Sequence, residues 1–191
     1  MAEEAVDFGW KSSPPAGVKV GDVVFRKGSG MWTRYFIGAS SREKRFSHVG
    51  IVVSVEPTAL ILHADGNDRT GVGKVRTEQW EDFFSIASEC AVYRYSGDEE
   101  AARSFARGGL RRLDVPFDPA FDMSSTNALY CTELIREVVN EAVGSELIGF
   151  TILKGHRIIA IDDVYHKGFV KVFDSHVPVS GVPRGTSGAT L

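Results

Sequence analysis

The spacing of apolar and polar positions predicts a chain rich in short β-strands. Residues 18–26 carry a β-branched run with a Gly-Asp turn inside it, and they predict the first strand. Residues 47–55 and 58–65 predict a hairpin that turns at Glu56-Pro57, where the proline fixes its own φ. Further strands are predicted over residues 72–76, 89–95 and 169–173.

Two longer segments are predicted to be helices, and the segment over residues 129–142 has the 3.6-residue period of an amphipathic helix. One runs over residues 129–142, with Gly144 as its C-cap, and the other over residues 96–112, where two glycines lower helix stability by about 1 kcal/mol each. A short helix is predicted over residues 78–84, with Thr77 as its N-cap. The face of the 129–142 helix that should pack on the core consists of Leu134, Ile135, Val138, Val139 and Ala142.

Two segments fit more than one structure. Residues 31–37 are rich in aromatic side chains and suit either a short helix or a loop along a cleft. Residues 158–165 suit either a strand or a helix.

Length and composition predict one globular domain. A chain of 191 residues with 43% hydrophobic content can bury a sizeable core. We expect a flexible lead-in over residues 1–17, a single domain over 18–175, and a disordered tail over 176–191, where Gly and Pro recur.

Net charge and hydropathy argue against two classes of partner, nucleic acid and the membrane interior. A net charge of −3 and a pI near 6.0 give no basic field, so nucleic acid is not an expected partner. No apolar stretch approaches the roughly 18 residues that span a bilayer. The N-terminus is acidic where a secretory signal would be basic, which predicts a polypeptide that is cytoplasmic as made, with any export through a specialised secretion system.

The two cysteines differ in context. Cys90 lies in an apolar strand and is predicted to be a buried small hydrophobe. Cys131 lies in the first turns of an amphipathic helix, where free N–H groups and the helix dipole favour a thiolate and should lower the thiol pKa. Packing of Cys131 in the core is the alternative.

Two histidines in the predicted hairpin give Cys131 a possible base. A turn near residues 55–57 places His48 opposite His63 or Asp65, and residues 63 and 65 share a face because the strand period is two. One imidazole could then take the thiol proton while a second polar group orients it.

Other polar residues near these positions have simpler interpretations. Tyr130 could line the site or pack in the core, and Glu133 suits a helix start. Asp118 and Asp122 are typical of turns. No role is assigned to three further histidines, which are not spaced as metal ligands, namely His156, His166 and His176.

Three sequence blocks, at residues 21–25, 47–52 and 61–64, resemble consecutive signature strands of the NlpC-type cell-wall peptidases, a branch of the papain-like superfamily. In that family the nucleophile helix precedes these strands, whereas here Cys131 follows them. This order resembles the circularly permuted papain-like amidases of the YiiX/YaeF/YebB type. Residues 129–135, Leu-Tyr-Cys-Thr-Glu-Leu-Ile, are similar to that family's nucleophile motif.

The resemblance implies a fold and a set of roles. The fold is α+β, a circularly permuted papain-like domain with an antiparallel sheet or barrel packed against the helix that carries the nucleophile. Cys131 would be the nucleophile, His48 the general base and His63 the orienting residue, with Asp65 as its competitor. The backbone N–H of Cys131 would donate to the oxyanion. No cofactor or metal is expected.

The implied activity is hydrolysis of an amide bond through a Cys thioester, most naturally in peptidoglycan stem peptides or muropeptides. Delivery as an antibacterial effector would add a delivery or immunity protein as a partner. An acyltransferase or lipid amidase like lecithin-retinol acyltransferase is an alternative, for which the aromatic residues 31–36 could contact an acyl chain. A binding module without catalysis is a third.

Overall fold

The computed structural model describes residues 9–125 and 127–176. Its centre is a six-stranded antiparallel sheet with the spatial order β4-β3-β2-β1-β5-β8, and a small hairpin, β6-β7, lies apart from it. The strands are β1 Val23–Lys27, β2 His48–Ser54, β3 Leu60–Gly66, β4 Gly73–Gln79, β5 Glu89–Tyr95, β6 Thr151–Leu153, β7 His156–Ile158 and β8 Phe169–Asp174.

Six helices accompany the sheet, so the fold is α+β as predicted. None of the helices in the described ranges is both long and apolar enough to cross a bilayer. The undecided segment after Gly30 is a helix, and the second undecided segment contains the last residue of β7 and the whole of the last helix. The helices are α1 Gly9–Ser12, α2 Met31–Ala39, α3 Trp80–Ser85, α4 Glu99–Leu110, α5 Cys131–Val143 and α6 Ile161–Tyr165.

Each face of the sheet covers its own core. Helices α4 and α5 pack together and on β2 and β3, burying the larger cluster, whereas α1 and α3 pack on the opposite face. Gly109 lets α4 approach the sheet, because a Cβ at this position would lie 2.8 Å from Leu62 Cδ2. The glycine that weakens the predicted helix therefore serves the packing of that helix.

The predicted helix over residues 129–142 is confirmed, with a later start than expected. It begins at Cys131 and ends at the predicted C-cap Gly144, whose φ of 71° is the left-handed conformation that glycine tolerates. Its face of Leu134, Ile135, Val138 and Val139 is buried as the period predicted.

The segment around Thr77 differs from the prediction. Thr77 is not an N-cap, because β4 continues through Gln79 and pairs Thr77 with Leu62. Helix α3 starts only at Trp80. Acidic and polar residues after position 76 resemble a helix start locally, but the ladder to β3 determines their conformation.

The N-terminal segment also differs where it is described. Residues 9–12 form a helical turn, and the Trp10 ring packs edge-on to Phe84 at 5.6 Å. The carbonyl of Trp10 accepts a hydrogen bond from Trp80 Nε1 at 2.7 Å. Burial of an aromatic ring thus holds this part of the predicted flexible lead-in. Residues 1–8 and the predicted tail from residue 177 onward lie outside the described residues.

Candidate active site

Cys131 is the first residue of α5 and borders a cleft. Its side chain is only 2% exposed, yet it lines a cavity of about 390 Å³ together with His48. Backbone N–H groups of Val49 and Thr132 donate to its sulfur. The strand that carries His48 is thus in direct contact with the cysteine.

The start of α5 is held by buried hydrogen bonds to the segment after β7. Thr132 Oγ1 donates to the carbonyl of Ile159 at 2.7 Å, and the N–H of Ile159 donates to Tyr130 Oη at 2.9 Å. Tyr130 is fully buried and packs against Phe36 and Phe121. Of its two sequence interpretations, the structure supports core packing: the side chain fixes the helix start and stands back from the cleft.

The two hairpin histidines meet as the strand period predicted. His48 begins β2 and is partly exposed, whereas His63 lies within β3 and is fully buried. His48 Nε2 lies 2.8 Å from His63 Nδ1. The Phe83 ring packs against both imidazoles, at 5.6 and 5.1 Å between ring centroids.

Glu78 continues this chain of contacts. Its Oε2 lies 3.2 Å from His63 Nε2, at an angle short of a straight hydrogen bond, and its Oε1 accepts from Arg76 at 3.0 Å. A carboxylate only accepts, so the contact assigns the proton of His63 to Nε2 and leaves Nδ1 to accept from His48 Nε2. His48 Nδ1 is then the unprotonated nitrogen, as a base requires.

Asp65, the alternative orienting residue, is engaged elsewhere. It lines the cleft, and its carboxylate accepts from Arg76 at 3.0 Å. The residue at hydrogen-bond distance from His48 is therefore His63 and not Asp65.

The electrostatics of the free site correct one expectation from the sequence. Burial raises the pKa of Cys131 to about 12, although the two N–H donors and, more weakly, Arg26 oppose the rise. Burial, reinforced by Arg26, His63 and Arg76, lowers the pKa of His48 well below 6.5. The helix start therefore does not produce a low thiol pKa, and the cleft holds a neutral thiol and a neutral imidazole.

Burial and neighbouring charges also shift the pKa values of His63 and Glu78. Burial lowers the pKa of His63, with Glu78 and Asp65 acting in the opposite direction. Burial opposes ionisation of Glu78 too, but the contacts with His63 and Arg76 prevail and lower its pKa to about 2. Glu78 is therefore ionised at neutral pH, and its carboxylate favours the neutral tautomer of His63 that carries the proton on Nε2.

The cleft has a polar side and an aromatic side. The loop of Gly28, Ser29 and Gly30 forms one rim, and the Gly28 N–H donates to Ser47 Oγ at 3.0 Å. The aromatic wall comes from α2 and from the loop before α5, where Trp32 stacks on Phe117 with centroids 5.0 Å apart. Further lining residues are Thr33, Phe36, Asn67, Asp68 and Ile86.

Arg26 also lines the cleft, directly across the β1–β2 ladder from His48. It is 6% exposed, its Nη1 donates to the carbonyl of Phe83, and its guanidinium lies 4.3 Å from the Phe83 ring centroid. Burial lowers the pKa of Arg26, yet an arginine stays protonated in proteins. A buried positive charge therefore stands beside the histidine pair.

The remaining candidates have structural surroundings. Cys90 is buried in the smaller core cluster, as predicted. Asp118 accepts from the N–H groups of Ala120 and Asp122 and shapes a turn, also as predicted. Glu133 is buried, and burial raises its pKa to about 8.

One group of side chains in the described ranges has the composition of a metal site. Ligating atoms of His48, His63 and Asp65 lie within 4.8 Å of one another. None of the three histidines without an assigned role belongs to it. Two imidazoles and a carboxylate would suit a divalent ion such as Zn²⁺.

The similarity of the chain to known proteins agrees with this geometry. Residues 17–167 match the family described as "Permuted papain-like amidase enzyme, YaeF/YiiX, C92 family". The chain belongs to this family. It is accordingly a cysteine peptidase or amidase in the general sense of that family, as the order of the sequence blocks predicted. No curated protein matches the chain.

A solved structure has the same fold. The crystal structure of yiiX from Escherichia coli O157:H7, described as a metalloprotein, superposes with a TM-score of 0.67 at 17% identity. The match covers 81% of this chain and 96% of that one. At this identity the likeness concerns the fold, and it confirms the permuted papain-like arrangement.

Sequence reasoning missed two residues of the site. Glu78 was assigned to a helix, although the polar alternation of Lys74, Arg76 and Glu78 is the signal of a strand whose one face meets His63. For Arg26, the sequence pattern predicts only the end of a strand. Its position across from His48 depends on the β1–β2 register, which a single sequence does not specify.

Proposed function

We propose that the protein hydrolyses amide bonds with Cys131 as nucleophile, His48 as general base and His63 as the residue that orients His48. One observation carries the assignment: Cys131 and His48 line the same cleft, and Nε2 of His48 lies 2.8 Å from Nδ1 of His63. Nδ1 of His48 is thereby left free to act as a base.

The reaction follows from these contacts. Cys131 attacks the carbonyl carbon while its thiol proton passes to His48, so that no free thiolate has to accumulate in the buried site. His48 then gives the proton to the leaving amine, and a thioester remains. His48 then removes a proton from water, which attacks the thioester carbonyl, and the C–S bond breaks to release the acid. His48 returns the proton to the sulfur of Cys131 and the free enzyme is restored. The N–H of Cys131, at the start of α5, is the proposed oxyanion donor.

The proposed substrates are peptidoglycan stem peptides or muropeptides. The resemblance of three strand blocks to cell-wall peptidases supports this choice. The polar rim of the cleft, from Gly28 to Gly30 and from Asn67 to Asp68, suits a peptide, because backbone and side-chain groups there can pair with amides.

The test is a digestion of purified peptidoglycan and of soluble stem peptides, with the fragments identified by mass spectrometry. Wild type should release new amino and carboxyl termini at one type of bond. Cys131→Ser should release none, and Cys90→Ala is the matched control for loss of a thiol away from the cleft. Intact cross-links and stem peptides at high enzyme concentration would refute this substrate class.

A lipid amidase or acyltransferase is the second candidate, because the cleft has an aromatic wall. Trp32, Phe36 and Phe117 line it, and Met31, which precedes Trp32 in α2, is 65% exposed. Such a wall could hold an acyl chain next to Cys131. Release of fatty acid from N-acyl or ester lipids, with stem peptides left intact, would favour this candidate.

The metal-like group does not enter the proposed mechanism. His48 Nε2 and His63 Nδ1 point at one another at hydrogen-bond distance, and the carboxylate of Asp65 is paired with Arg76. A cation would have to separate the rings and displace an arginine, with Arg26 nearby. The ligand types fit a divalent ion, but the arrangement of their atoms does not.

A further inference from the structure

Arg26 is a buried cation that lacks a counter-ion among the described residues. Its Nε is buried and has no hydrogen-bond partner among the described residues, and only Nη1 is engaged, by the uncharged carbonyl of Phe83. Within the described ranges, no carboxylate lies at ion-pair distance from it. A buried charge without a counter-ion is costly, so native proteins rarely leave one unless a ligand completes the site.

The carboxylates nearest to Arg26 are hydrogen-bonded to a different arginine, Arg76. Asp65 and Glu78 attract Arg26 over a longer range, but each accepts a hydrogen bond from Arg76 at 3.0 Å. Glu78 also faces His63 at 3.2 Å. Neither carboxylate can turn toward Arg26 without giving up its hydrogen bond to Arg76, and Glu78 would also leave His63.

The position of Arg26 identifies what the missing anion would be. Its side chain lines the cleft that Cys131 and His48 share, next to where the reacting carbonyl must lie. A guanidinium recognises carboxylates with its planar array of N–H donors. An anion held there would belong to the substrate.

We propose that Arg26 binds a carboxylate of the substrate close to the scissile amide, so that the enzyme selects anionic peptides over their neutral amides. The inference rests on the proposed function and narrows its substrate class. Stem peptides offer two such groups, the α-carboxylate of a γ-linked glutamyl residue and the C-terminal carboxylate. The chemistry is the same for both, and the experiment distinguishes them.

A purely structural role for Arg26 makes a different prediction. Stacking on Phe83 and the bond to its carbonyl tie β1 to α3, and loss of these contacts would lower stability for every substrate alike. Only a binding role makes the effect of the substitution depend on the charge of the substrate.

The experiment uses L-Ala-γ-D-Glu-L-Lys-D-Ala and three derivatives, amidated at the glutamyl α-carboxylate, at the C-terminus, or at both. Values of kcat and KM are measured for wild type, Arg26→Gln and Arg26→Lys. Arg94→Lys is the matched control, because Arg94 pairs with Asp22 away from the cleft. Melting curves establish that each variant is folded, and Arg26→Lys provides the comparison if Arg26→Gln is unstable.

Wild type should prefer one carboxylate over its amide by about 10- to 100-fold in kcat/KM, the value of a hydrogen bond to a charged group. This ratio should fall toward one in Arg26→Gln and stay unchanged in Arg94→Lys. Equal cleavage of all four peptides by wild type, or a ratio that survives in both Arg26 variants, would overturn the inference and leave the proposed function standing. Cleavage of none of the four would instead contradict the proposed function itself.

Discussion

His48 Nε2 lies 2.8 Å from His63 Nδ1, and this contact determines which nitrogen of His48 can serve as a base. His63 presents Nδ1 to His48 because Glu78 lies against its Nε2. The proton positions of both rings are thereby set by the carboxylate of Glu78, which reaches His48 through His63. The chain from Glu78 to His63 to His48 is the basis of the first two predictions.

His63 should matter more than Asp65. His63→Ala removes the acceptor that orients His48, and we expect kcat to fall by about 100-fold or more with a small change in KM. Asp65→Asn keeps the histidine pair and should cost less than about 10-fold. Steady-state kinetics on a cleavable stem peptide measure both. A larger loss of kcat in Asp65→Asn would assign the orienting role to Asp65.

Glu78 should act as a positioning residue. Glu78→Ala leaves His63 free to adopt either tautomer, and we expect a loss of about 10- to 100-fold in kcat, the usual cost of removing such a partner. Glu78→Gln retains an acceptor and should lose less. The exposed Glu81 on α3 offers a control, Glu81→Gln.

A stability effect alone would not reproduce this pattern. If Glu78 only supported the fold, kcat per folded molecule would match wild type, and the acid limb of the pH profile would stay in place. If Glu78 fixes the tautomer of His63, kcat should fall in Glu78→Ala although the variant has the melting temperature of wild type.

The pH profile distinguishes a neutral thiol–imidazole pair from a preformed ion pair. With the pKa of Cys131 raised to about 12 and the pKa of His48 below 6.5, the neutral pair persists through the neutral and mildly alkaline range. We expect kcat/KM to fall only below pH 6.5, as His48 takes up a proton, and to stay level from there to at least pH 9.

Alkylation is an independent measurement of the protonation state of Cys131. The rate of Cys131 modification by iodoacetamide should rise as the pH passes above the ordinary thiol pKa of about 8.5. An ion pair would instead give rapid alkylation at pH 6 and a decline of kcat/KM above pH 8, as the imidazolium loses its proton. That result would show that the thiolate is stabilised in solution by more than its two N–H donors.

The sequence predicted those parts of the site that local periodicity specifies. The period of two in the hairpin brought His48 and His63 to one face, and the 3.6-residue period of α5 predicted its buried side. Each of these patterns is carried by side chains within one segment, so a single sequence is enough to show it.

Local sequence patterns could not predict the features that depend on contacts between distant segments. Thr77 has the form of an N-cap, but pairing with Leu62 makes it a strand residue and carries Glu78 to His63. The raised pKa of Cys131 results from burial by the surrounding fold, which outweighs the helix start. Strand register and desolvation are properties of the assembled structure.

Metal should not be required, and excess metal should inhibit. Dialysis against EDTA should leave kcat/KM within about two-fold, because the proposed base is an imidazole hydrogen-bonded to His63 rather than a metal-bound water. Zn²⁺ in large excess should inhibit, because it can bind His48, His63 and Asp65 only by separating the two imidazoles and displacing Arg76 from Asp65. Loss of activity on chelation that Zn²⁺ restores would contradict the assignment of His48 as the base.

Glu133 gives a prediction about stability alone. It is 5% exposed, its Oε2 has no hydrogen-bond partner in the described part of the chain, and burial raises its pKa to about 8. The folded state therefore holds a proton that the unfolded state releases near pH 4.5. Stability should fall as the pH rises from about 4.5 to 8, because the native state binds more protons over that range.

Glu133→Gln removes this titration while it keeps an acceptor for the Tyr130 N–H. We expect the variant to be more stable than wild type by about 1–3 kcal/mol at pH 8, since one pKa unit corresponds to about 1.4 kcal/mol. At pH 4 both carry a neutral side chain and should unfold alike. Urea unfolding at the two pH values measures the difference, and an equal gain at both would trace the effect to packing rather than to the buried charge.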